Sequence, residues 1–140
     1  MRTAECGMRN NRSVQSSENM NKYADLKQRT NKFALDVIRL VETLPNDDAS
    51  RILRRQLIDS GTSVGANYRA ACRAKSTADF ISKMGWVEEE ADESGYWLSL
   101  LVAAGKLKQS AAAPLVQESS ELTAIAVASI NTARKSGARA

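Results

Sequence analysis

Histidine is absent from the 140 residues. Its absence removes the commonest general base, the Ser-His and Cys-His nucleophile pairs and the usual imidazole metal ligand, so most enzyme chemistries have no starting point. Cysteine is nearly absent as well. Cys6 and Cys72 stand far apart and match no zinc-ligand spacing, so neither a metal site nor a disulfide is expected, and Cys72 reads as a small helix-packing residue. No apolar run approaches the roughly 20 residues of a membrane span, and the opening segment MRTAECGMRNNRSVQSSENM lacks the apolar centre of a secretory signal. A cytoplasmic protein without membrane contact, metal or cofactor is expected. Strand-type alternation is also missing over any length comparable to the helical pattern.

What is present is helical periodicity. Residues 1 to about 22 are rich in Asn, Ser and Arg without a periodic apolar face, which predicts a flexible tail. From about Ala24 the spacing of Leu26, Phe33, Val37, Leu40 and Leu44 marks one face of a first helix, closed by Pro45. Asn46 is a candidate cap, and Asp47 and Asp48 follow it near the positive end of the next helix dipole. The second helix runs to about Arg73 with Leu57 and Val64 on its seam. Ser76 or Thr77 caps a third helix that carries Phe80, Met84, Val87, Ala91 and Leu98 to about Gly105. A fourth is expected to start near Pro114, a favoured first-turn residue, and to end before a basic tail at 137–140. Short connections make antiparallel neighbours, so residues 23–136 are expected to form an up-and-down antiparallel four-helix bundle.

The stretch SGTSVGANYRAACRAKS, residues 60–76, holds the first functional question. A phosphate-binding loop needs Lys-Ser or Lys-Thr after its second glycine, whereas Gly65 is followed by Ala66 and Asn67. On a helix, Gly61 and Gly65 lie one above the other and let a neighbouring helix approach, despite a propensity cost of about 1 kcal/mol each. By the heptad count Asn67 joins the seam of Leu57 and Val64, where its amide needs a structural partner. Arg55 and Arg69 share the outermost position, flanked by Arg51 and Arg73. With Arg54 and Lys75 they are the candidate nucleic-acid ligands, although a solvated face or a subunit contact would use the same stripe. The net charge of +4 is compatible with a polyanionic partner.

The third helix carries opposite charge: Asp79, Glu88, Glu89, Glu90, Asp92 and Glu93 against Lys83. Di-metal bundles use inward Glu-x-x-His pairs, which a chain without histidine cannot supply. Trp86, Trp97 and Leu100 fall off the core seam on a flank shared with Glu90 and Glu93. Large aromatics beside charges mark these five as a candidate oligomer interface.

SVGANYRAACRAKSTADFISKM followed by VEEEADESGYWLSLL resembles the small four-helix-bundle proteins of the 23S ribosomal RNA intervening-sequence family, over roughly residues 24 to 135. The resemblance implies a four-helix fold, a ring-shaped homopentamer in some members and no known catalytic activity. It also implies kinship with accessory proteins of diversity-generating retroelements, which are linked to RNA. Ser63, Asn67, Ser76, Asp79 and Phe80 match the family pattern around the second turn, and Arg69, Arg73 and Lys75 match its basic stretch. Ile58 and Asp59 depart from it, because basic residues often follow the position that Leu57 fills. The expected function is a non-enzymatic, oligomeric adaptor or accessory associated with nucleic acid, RNA above all. The alternative is a protein-binding or assembly scaffold that does not touch nucleic acid.

Overall fold

The computed structural model of the protein describes residues 15–139, and the side chains of residues 25–137. Four helices follow one another: α1 (Gln15–Val41), α2 (Asp48–Cys72), α3 (Thr77–Ala103) and α4 (Gln109–Arg139). No strand occurs among the described residues. Each helix packs on the next in chain order, and α1 meets α4 more thinly, which closes a four-helix bundle. The register is antiparallel throughout. Val37 and Thr30 of α1 face Gly61 and Gly65 of α2, while Ser119 and Gly137 of α4 face Gly95 and Thr77 of α3.

Helix α1 begins at Gln15, well before the expected start near Ala24, and residues 1–14 of the expected tail lie outside the described residues. Residues such as Glu18, Met20 and Lys22 favour a helix without needing an apolar face, so the helix starts ahead of the apolar periodicity in the sequence. Helix α4 also departs from expectation at both ends. It starts at Gln109, with Lys108 carbonyl accepting from the Ala111 and Ala112 amides, both at 3.1 Å. Pro114 therefore lies inside the helix, exposed on its outer face, where it forfeits one hydrogen bond that the helix-favouring alanines before it offset. At the other end α4 continues to Arg139, so 137–139 form its last turn and not a tail.

The turns follow from local chemistry. Asp47, rather than Asn46, caps α2, because its carboxylate is three residues ahead of the Ser50 amide that it accepts at 2.8 Å. Lys106 donates to the same carboxylate at 3.1 Å and ties the α3–α4 turn to the α1–α2 turn. Ser76 caps α3 by accepting from the Asp79 amide at 3.0 Å, and Asp79 reaches back to the Lys75 amide at 3.1 Å. Gly105, at φ 73°, ends α3 in the left-handed region, where glycine avoids the Cβ penalty. The Gly105 amide then donates to Val102 carbonyl and the Lys106 amide to Leu101 carbonyl, a Schellman termination.

Two further corrections concern α2. Tyr68, fully buried, fills the core at the level expected for Asn67, which stands half-exposed on the flank. A strict sevenfold count drifts from the 3.6-residue turn by about 20° per heptad, enough to displace Asn67 after Leu57. At that depth its amide is not forced to find a protein partner. Cys72 is held in a disulfide, contrary to the expected free thiol, and its half-buried side chain packs beside the core. The sequence's other cysteine, Cys6, lies outside the described residues.

Candidate functional site

The six basic candidates separate into two groups. Arg54 is half-buried and donates to the Val41 and Leu44 carbonyls at 3.2 and 3.5 Å, closing the C-terminal end of α1. Arg51 is paired with Asp48 and donates to Asn46 at 3.1 Å. Arg55 is exposed. Fourteen residues further along α2, about 21 Å at 1.5 Å per residue, come Arg69 and then Arg73. Both are exposed and make no ion pair among the described residues.

The antiparallel register that opposes Thr30 to Gly65 brings Lys27 of α1 alongside Arg69 and Arg73. Burial holds the Lys27 amine below the usual lysine value, and the two guanidinium groups lower it further. Three cations thus share one field. Nearby, Asp79 is already engaged. Its carboxyl is held below the usual range first by the hydrogen bond from Lys83, at 2.7 Å, and then by the Lys75 amide. The Lys75 side chain itself is left exposed in the turn. Lys27 was not among the expected ligands, because the distance in sequence from Arg69 conceals a pairing that only the α1–α2 register reveals.

The α3 candidates occupy another face. Glu90 is half-buried, and its carboxyl is raised first by burial and then by Glu93, Asp59 of α2 and Glu89. Trp97 donates its indole N–H to Glu93 Oε1 at 3.1 Å, and the Tyr96 ring meets it edge-on with centroids 5.0 Å apart. Leu100 is half-buried. Trp86 and Tyr96 of α3 are 49% and 57% exposed, and Ile52 of α2 is 61% exposed. Tyr96 and Asp59 were missed as members of this face. Their spacing along single helices gives no sign of it, since the face is made by α2 and α3 together.

A recess of about 370 Å³ between α3 and α4 has Ser99, Gln109 and Gln117 as its polar lining, none of them an acid or base. Among the described residues no three His, Cys, Asp or Glu side chains converge as metal ligands, and no helix is long and apolar enough to cross a membrane.

These features define a small all-α protein whose helices carry charged and aromatic faces around an apolar core. Residues 22–128 match the family described as 23S rRNA-intervening sequence protein, and the chain belongs to that family. It is also similar to the crystal structure of a protein with unknown function from the S23 ribosomal protein family of Bacteroides thetaiotaomicron. Identity is 32% and the TM-score 0.70, over 75% of this chain and 97% of that one. No curated protein matches the chain.

Proposed function

We propose that the chain is a non-enzymatic, self-associating bundle that serves in the cytoplasm as an RNA-associated adaptor, in the manner of retroelement accessory proteins. The observation that carries this reading is the Lys27, Arg69 and Arg73 cluster. Three cations held together with no ion-paired carboxylate among the described residues repel one another, and a phosphate chain relieves that repulsion. The family's link to ribosomal RNA inserts supports RNA as the polyanion. The exposed Trp86 and Tyr96 on the same helix as Glu90 and Glu93 support assembly, with a ring-like homopentamer as the expected state.

A second reading rests on that same aromatic face: a scaffold for a protein partner, without nucleic acid. The two are separated by replacing Arg69 and Arg73 with Gln and following RNA binding and particle mass together. The adaptor reading predicts weaker RNA binding with the assembly intact. Dissociation of the assembly with no RNA bound by the unmodified chain would favour the scaffold and overturn the adaptor.

A further inference from the structure

Charge is zoned along the bundle. The end that holds the α2–α3 turn also holds the last turn of α4, because a Cβ at Gly137 would stand 3.3 Å from the Thr77 methyl. Lys75, Arg134 and Lys135 therefore gather at the same end as Lys27, Arg69 and Arg73. All six cations are free of ion pairs among the described residues. Among the described residues, the acids at this end leave these six cations unpaired. Asp79 is held by Lys83 and the Lys75 amide, while Asp25 is exposed near Arg29, whose guanidinium is clasped to Glu118. The middle of the bundle is acidic instead, with Asp59, Glu89 and Glu93 close enough to raise the Glu90 carboxyl.

A phosphate chain laid along α2 from Arg69 to Arg55 would have to pass this acidic middle. The field there opposes it. We infer that a nucleic-acid phosphate backbone seats on the end of the bundle at the α2–α3 turn, with Arg134 and Lys135 of α4 as ligands beside Lys75, and not along the α2 flank. This rests on the nucleic-acid reading above and assigns its site. Contacts of this kind grip phosphates without reading bases, so binding is insensitive to sequence and steeply dependent on salt.

The test is a fluorescence anisotropy titration of the full chain against labelled duplex RNA, and duplex DNA of the same sequence, between 50 and 200 mM salt. These concentrations span the range over which phosphate contacts show most clearly, and about 0.7 to 0.9 of slope is lost per contact removed. Replacing Lys75, Arg134 and Lys135 together with Gln is expected to weaken binding by about tenfold or more and to lower the slope of log affinity against log salt by about 2 to 3. Replacing Arg51 and Arg55 with Gln is expected to leave both within about twofold of the parent. Circular dichroism of each variant checks that the helices persist, which the exposed positions of the replaced side chains allow. Unchanged binding by the end variant, with loss on replacing Arg51 and Arg55, overturns the end site and leaves the RNA reading standing. DNA held as tightly as RNA through the same end residues keeps the site and removes the RNA preference. Failure of the unmodified chain to bind either polymer overturns both.

Discussion

Replacing Gly61 with alanine sets a methyl group against Val37. The added Cβ would meet both Val37 γ-methyl carbons at 3.0 Å, and Val37 is fully buried. A β-branched residue in a helix holds one preferred rotamer, so Val37 cannot turn aside, and α1 must shift away from α2. Alanine gains about 1 kcal/mol of helix propensity over glycine, whereas overpacking a filled core costs about 1 to 3 kcal/mol. The net expectation is destabilisation of about 1 kcal/mol, a fall of roughly 3 °C in Tm for a domain of this size. Gly85 supplies the control. A Cβ there meets nothing within 4 Å, so the same substitution should keep its propensity gain and raise Tm by about 2 to 3 °C. Urea and thermal unfolding followed by helical circular dichroism read both. If Gly61→Ala stabilises as much as Gly85→Ala, the close α1–α2 approach that aligns Lys27 with Arg69 is wrong.

Three other outcomes follow from named contacts. Glu118→Gln weakens the clasp that Arg29 makes from α1 to α4, where Nε donates at 3.0 Å, and costs about 0.5 to 1 kcal/mol, less at high salt. Hydrogen exchange should quicken along α1 ahead of the other helices, and uniform exchange would contradict the thin α1–α4 seam. The Asp47 carboxyl is depressed by the Ser50 amide and then by Lys106, so its contribution is full above about pH 4, the unfolded value, and fades as pH falls through the lower folded value. Asp47→Ala should thus lower Tm at pH 7 and matter progressively less in acid; a deficit that grows in acid would refute the cap. The Glu90 carboxyl is raised, chiefly by burial, so its charge opposes folding above the raised value and that penalty vanishes as pH falls to the ordinary glutamate value. Glu90→Gln should raise Tm at pH 7 and leave it unchanged near pH 4. A gain independent of pH would point to packing instead of charge.

Helical spacing alone reveals most of this fold. Leu26, Phe33 and Val37 repeat at the period of one buried stripe, and of the two cap candidates, Ser76 and Thr77, the structure selects Ser76. Boundaries were less legible, because Pro114 signals a helix start by its preference for the first turn while the alanines before it extend the helix regardless. The basic residues show why adjacency misleads. Arg54 and Arg55 are neighbours in sequence, yet a 100° rotation sends one to the α1 carbonyls and the other to solvent. The gathering of Lys27, Arg73 and Arg134 at one end depends on the register of three helices, which the opposing glycines set and no single segment encodes.

Lys27 is the most direct witness to the central claim. Its amine titrates below the ordinary value of 10.5 in the free chain because burial, Arg69 and Arg73 disfavour its charge. A bound phosphate chain reverses the charge part of that field. NMR titration of the Lys27 ammonium, without and with an alkali-resistant 2′-O-methyl RNA duplex, should therefore show its pKa rising toward 10.5 when RNA is present. RNA that binds while Lys27 titrates as in the free chain would contradict the account.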